Sequence, residues 1–433
     1  MTINHQWETQ CGRATGYTTA KTMLPVFFRT TAAERMLIFT TVVLLPLENH
    51  LPAVGGLSAL FLMFVVLAVY IGLNRVASLD RMWLHPVFIA AFLFILVAGA
   101  LEFTSPLSMY GDLARFGLAM CGALMISCLC RDRSALRAGL YGYMCASLWL
   151  SSILFLTSYD VLSGAVVQDF QDASYLRANA FRENPLQGNL NGMALMCAQG
   201  GVVALAFALA SSARPRFMYM GIAGFCFLST LLTMSRGGAA ISILACTAVL
   251  FANDLKHARK LLIVGLLIGG LLVVIPSVIW SRMSFSTEKH HGKMESRAWV
   301  YTTALERFPE YAITGIGAGN FWKKWGFEKG FATGTRGSVD VTGAHNTILQ
   351  IMIYWGALGL VAFLRIVLRV YRCIPSQSGQ DELSLGLLGI IVTLGAWLLQ
   401  SHNFYDKSFA LGLGMLIGSR QWIWPSGKGI EPR

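Results

Sequence analysis

About twenty apolar residues carry an α-helix across the hydrocarbon core of a bilayer, and this 433-residue chain offers such runs one after another. Twelve candidates stand near residues 34–52, 54–73, 86–103, 113–130, 135–157, 190–211, 216–234, 237–253, 260–280, 345–369, 383–402 and 406–423. In lipid, backbone N–H and C=O groups must be satisfied within the protein, which restricts spanning segments to helices or closed barrels. Runs of this length predict the former. The expected fold is all-α: a polytopic membrane bundle of about twelve helices with one large extramembrane loop region between spans 9 and 10. Charged residues make up only 13% of the chain, against about 25% in a soluble domain. No soluble domain, tandem repeat or low-complexity tract interrupts the pattern.

The net charge of +12 does not indicate a nucleic-acid partner, because the cations fall in short clusters between apolar runs. One set of connections holds Arg75 and Arg81; Arg131, Arg133 and Arg137; Arg214 and Arg216; Lys256, Arg259 and Lys260; and Arg365, Arg369 and Arg372. The alternate connections hold Glu48, Glu102 and Asp112 with few cations. The positive-inside rule assigns the first set to the cytoplasm, with the tails 1–33 and 424–433. Arg13, Lys21 and Arg29 lie in the N-terminal tail without a signal-type apolar core. Most of the nine cysteines lie inside apolar runs, where small-residue packing between helices is their expected role.

Two connections on the outer face are long, near 158–189 and 281–344. In the second, Met294, Ala298, Tyr301, Leu305 and Phe308 step by four and three, the mark of an amphipathic helix lying along the bundle's rim. Pro309 is expected to stop it. Gly315, Gly317 and Gly319 follow no strand pattern, so they predict a flexible turn and not a nucleotide-binding loop.

Outer-face arginines run against the topological bias and need a reason. Arg177, Arg182, Arg236 and Arg297 are four such residues. Guanidinium forks bind phosphate oxygens in pairs, so several together suit a diphosphate. An interfacial arginine also snorkels to lipid phosphate, or pairs with a loop carboxylate such as Glu183 or Glu295. His345 and Asn346 stand where the polar stretch meets the next apolar run. A histidine there can take a proton near neutral pH, though interfacial histidines also serve as plain hydrogen-bonding groups and Asn346 suits a helix cap. Asp406 and Lys407, with His402 and Asn403 nearby, lie on the same face. His290 and His291 have no fixed carboxylate beside them, so no metal site is expected.

An ordered set of motifs, SerArgGlyGly (235–238), SerArgAlaTrp (296–299), GlyIleGlyAlaGlyAsnPhe (315–321) and AlaHisAsn (344–346), resembles the membrane family of O-antigen ligases, O-antigen polymerases and bacterial protein O-oligosaccharyltransferases. HisAsn, nine residues, then Gly356 and Gly359 is similar to the ligase signature. Arg177 and Gly188, with ten residues between them, resemble half of a polymerase loop pattern. The resemblance implies a metal-independent, inverting glycosyltransferase of the inner membrane with no cofactor. Its donor would be an undecaprenyl-diphosphate-linked O-antigen polysaccharide, and its acceptor a sugar hydroxyl on lipid A–core in lipopolysaccharide biosynthesis. It also implies roles: His345 as general base, Arg236, Arg297, Arg177 and Arg182 on the diphosphate, and Asn346, Ser235 and Asp406 in support. A transporter or flippase is the competing class. Its ionisable groups would sit near the bilayer midplane, whereas here the span centres are nearly free of charge.

Overall fold

The computed structural model describes residues 30–47, 58–103, 111–165, 190–233, 235–253, 295–317, 320–321, 324–325, 344–374, 381–401 and 406–423. Among them every regular element is a helix and there is no strand. Fourteen helices follow in chain order: α1 (Ala32–Leu47), α2 (Ala59–Asn74), α3 (Val76–Trp83), α4 (Pro86–Phe103), α5 (Gly111–Leu129), α6 (Arg133–Ala165), α7 (Leu190–Ala210), α8 (Ala213–Leu232), α9 (Arg236–Ala252), α10 (Glu295–Glu306), α11 (Phe308–Tyr311), α12 (Thr347–Tyr371), α13 (Glu382–Gln400) and α14 (Lys407–Ile423).

Among the described residues, seven helices are long and apolar enough to cross a membrane: α4, α5, α6 over Arg133–Leu156, α7, α8, α12 and α13. Helices α2 and α9 are shorter apolar ones. The run expected at 260–280 lies outside the described residues, as does most of each long connection. Short α3 was not anticipated.

Helix α4 shows how the bundle meets lipid. Val87, Ala91, Phe94 and Ala98 are buried against neighbouring helices, while Ile89, Phe92, Leu93 and Leu96 point outward. Apolar residues on both faces suit a helix with protein on one side and hydrocarbon on the other. Helix α7 is more enclosed, packing against α6, α8, α9 and α13. Gly200 makes its closest crossing possible, since a Cβ there would fall 2.1 Å from Cβ of Ser147. The Ser147 hydroxyl then donates to the Met196 carbonyl at 2.5 Å, joining α6 to α7 as small polar residues do in membranes. Cys128, Cys197, Cys226 and Cys246 are buried as expected, but Cys121 and Cys145 lie on outward faces. A thiol is apolar enough to face lipid, so the packing role does not extend to those two.

One end of the bundle is tied by charge. Thr31 and Glu34 form a capping box at the start of α1, with the Thr31 N–H donating to Glu34 Oε2 at 2.7 Å and the Glu34 N–H to Thr31 Oγ1 at 3.2 Å. Arg75, at the end of α2, closes on the same carboxylate at 2.6 Å. Arg133 and Arg137 of α6 pair with Asp381 and Glu382 at the start of α13. Arg75, Arg133 and Arg137 all belong to the connections that sequence assigned to one compartment.

Candidate active site

At the opposite end of α13, three consecutive residues meet the starts of two other helices. Asn346 caps α12: its Oδ1 accepts from the Leu349 N–H at 3.0 Å, and its Nδ2 donates to the Leu399 carbonyl at 3.2 Å. The Thr347 hydroxyl donates to the Ser401 carbonyl at 2.7 Å. Between them, Gln400 lies over the first turn of α9, where a Cβ on Gly237 would be 1.8 Å from its Oε1. Ser235 is the buried cap of α9; its Oγ accepts from the Gly238 N–H at 3.1 Å and donates to Asn191 Oδ1 near the start of α7 at 2.8 Å. The ends of α7, α9, α12 and α13 are thus joined by neutral hydrogen bonds and close packing.

Two residues stand out at this junction. Arg236, the first residue of α9, is exposed. His345, immediately before the α12 cap, is half-buried with φ of 54°, the one described non-glycine residue with positive φ. Such a backbone costs about 1–3 kcal/mol and persists where its surroundings impose it, often at functional sites. Asp406 is also held near α13. It accepts from Trp397 Nε1 at 3.2 Å and, as the cap of α14, from the Ser408 N–H at 2.8 Å. Trp397 is three residues before Gln400, about 4.5 Å along the helix.

A second construction lies further along α12. Gly356 has φ of 59° and ψ of −155°, a glycine conformation that breaks the helix. The main chain of residues 312–317 fills the break. The Ile316 and Gly317 N–H groups donate to the Ile353 and Tyr354 carbonyls, each at 2.9 Å. In return the Ala357 and Leu358 N–H groups donate to the Ala312 and Ile313 carbonyls, at 2.8 and 3.2 Å. Gly315, with φ of 77°, lies against the Tyr354–Trp355 backbone, where a Cβ would come within 2.2 Å of the Tyr354 carbonyl oxygen. Beside the break, Trp355 Nε1 donates to the buried Glu102 at 3.0 Å, and the Trp355 ring packs edge-on to Phe94.

These contacts correct two expectations. Gly315 and Gly317 do not form a flexible turn; they dock in a broken membrane helix, and Gly356 is the break. The buried face of α10 carries Val300 and Ala304, whereas Tyr301 and Leu305 of the expected stripe point outward. Pro309 lies in the first turn of α11 after α10 has ended at Glu306. The junction brings Ser235, Arg236, His345 and Asn346 to one α13 end, with Asp406 linked to the same helix through Trp397. Arg297 is in the first turn of α10, its side chain outside the described set; Arg177, Arg182, His402 and Asn403 also lie outside it. Sequence reading missed Gln400, whose signal was only its place between the apolar run and Ser401.

Membrane-length helices with polar groups collected at one end define a multi-pass membrane protein with a candidate site at that end. Residues 221–364 match the family model described as O-antigen ligase, and that match supports membership of the O-antigen ligase family. It encloses Ser235, Arg236, Arg297, His345 and the Gly315–Gly356 docking, and leaves Gln400 and Asp406 outside. No curated protein matches the chain. Members of this family are glycosyltransferase-like enzymes acting on O-antigen.

Proposed function

We propose that the protein is an O-antigen ligase, transferring a polysaccharide from undecaprenyl diphosphate to a sugar hydroxyl of lipid A–core at the periplasmic face of the inner membrane. The observation that carries the reading is the junction. His345 is held in a strained backbone at a helix mouth, and one α13 end joins that mouth to the turn bearing Arg236. His345 takes the proton of the acceptor hydroxyl as its oxygen attacks the anomeric carbon. The anomeric C–O bond to the diphosphate breaks in line, and the configuration inverts. Arg236 and Arg297, with Arg177 and Arg182, hold the diphosphate and stabilise the charge that grows on it. Asn346, Ser235 and Asp406 hold helix ends in place. The donor is already activated, so the reaction runs without ATP.

The test is transfer by purified protein in liposomes, without a transmembrane gradient. His345→Ala is expected to lose about 10²–10⁴-fold in rate; a wild-type rate removes the base. Arg236→Ala should lose transfer while the protein stays folded, with poor rescue by lysine, which keeps the charge but not the fork. The Arg177–Gly188 spacing favours a second reading, polymerase, with the same donor. Offering lipid A–core and a second lipid-linked repeat as rival acceptors separates the two.

A further inference from the structure

We propose that Gln400 is a positioning residue that sets the spacing between Arg236 and His345; this rests on the roles given to those two above. Gln400 ends α13, and its neighbours Leu399 and Ser401 take hydrogen bonds from Asn346 and Thr347, the two residues after His345. Its own side chain reaches the other way. A Cβ built on Gly237 would meet Gln400 Oε1 at 1.8 Å, Cδ at 2.8 Å and Nε2 at 3.3 Å. One residue of one helix end therefore touches the turn that presents Arg236 while its neighbours hold the cap that presents His345.

Gly237 supplies an independent observation. It lies in the first turn of α9 and is not among the positive-φ glycines, so its backbone does not require glycine. Glycine there weakens the helix relative to alanine. The room it leaves is filled by the Gln400 carboxamide. A neutral amide suits the position, because a carboxylate one residue from Arg236 would compete with an anionic substrate for the guanidinium. Small displacements of reacting groups are costly: about 1 Å can lose roughly 10²-fold in rate. A residue fixing the separation of cation and base should act on turnover and leave donor binding nearly alone.

The experiment is steady-state transfer by purified full-length protein in liposomes, with lipid-linked polysaccharide as donor and lipid A–core as acceptor. Gln400→Ala is expected to lower kcat by about 10–100-fold with donor KM changed less than about threefold. Gly237→Ala should do the same by expelling the carboxamide. The double variant should be no worse than Gln400→Ala alone, since both changes remove one contact. Gln400→Met, which fills the space without charge, should recover most of the loss, and Gln400→Glu should raise donor KM. Wild-type kcat in Gln400→Ala, no recovery with methionine, or additive losses in the double variant would each overturn the assignment. Arg236→Ala and His345→Ala are run alongside. If those two keep full activity, the functional reading fails and this inference with it. If they lose activity while Gln400→Ala does not, only the positioning role fails.

Discussion

The two ends of the bundle are fastened by different chemistry. At one, long side chains pair across helices: Glu34 with Arg75, Arg133 with Asp381, Arg137 with Glu382. At the other, the helix ends around His345 are joined mainly by an asparagine cap, two hydroxyls, a carboxamide and main-chain groups, with the Asp406 carboxylate held on Trp397 beside them. Ion pairs neutralise the clustered cations, and they tolerate some play. Main-chain and neutral bonds add no competing charge and fix positions more tightly. The anionic diphosphate donor proposed above would be better received by an end of the second kind.

The docking of residues 312–317 into the α12 break is the extreme case of that second kind, and breaking it should have the largest effect. Gly356→Ala places a Cβ 2.5 Å from Gly315 N and from the Ile313 carbonyl, in a backbone conformation nearly closed to alanine. We expect transfer to fall at least about 100-fold, because the first part of α12 carries at its mouth the Asn346 cap that follows His345. A spin-label distance between α10 and α12 should lengthen. Unchanged activity and distance would mean that the break is incidental to the site.

At the charged end, Glu34→Ala removes a fully buried carboxylate that serves both the α1 capping box and Arg75. Leaving the largely buried Arg75 without that partner should cost about 3–5 kcal/mol, read as a lower thermal midpoint in detergent. The kcat of protein still folded should be unchanged. A loss of kcat without a loss of stability would erase the contrast between the ends. Trp355→Phe, beside the break, deletes the indole donor to Glu102 and should cost about 1–3 kcal/mol. Part of that cost should appear as slower transfer, since the same residues flank the docking.

Several spans were legible because apolar length is a property of a single segment. Helices α4, α7, α13 and α14 stood where expected, and the ion pairs gather cations that the positive-inside rule had grouped. The candidate site was half legible. His345, Asn346 and Arg236 showed as polar residues at the mouths of apolar runs, which is a local signal. Gly315 and Gly356 also showed as spacing, yet their docking depends on two segments 41 residues apart exchanging main-chain bonds, and no side-chain pattern encodes such pairing. Gln400 was invisible for a related reason: its role depends on Gly237, which belongs to another helix. The exposed Tyr301 and Leu305 misled because a helix between bundle and surroundings carries apolar residues on more than one face.

The smallest effect is expected at the Arg133–Asp381 pair, and pH is the sharper probe there. Burial opposes the Asp381 charge, but hydrogen bonding from Ser384 and the Arg133 guanidinium outweigh it and hold the carboxyl below its ordinary value. A depressed folded value stabilises the protein above the unfolded aspartate pKa of about 3.9. That stability is lost as pH falls through the folded value, when the cap and the pair are protonated. The thermal midpoint should therefore drop on acidification below about pH 4, and Asp381→Asn should flatten part of that drop. At neutral pH the substitution should cost only about 1 kcal/mol, since the pair is partly exposed and asparagine also caps helices. Transfer measured at neutral pH should be unchanged, because a loosened ion pair at this end leaves the spacing of His345 and Arg236 as it was.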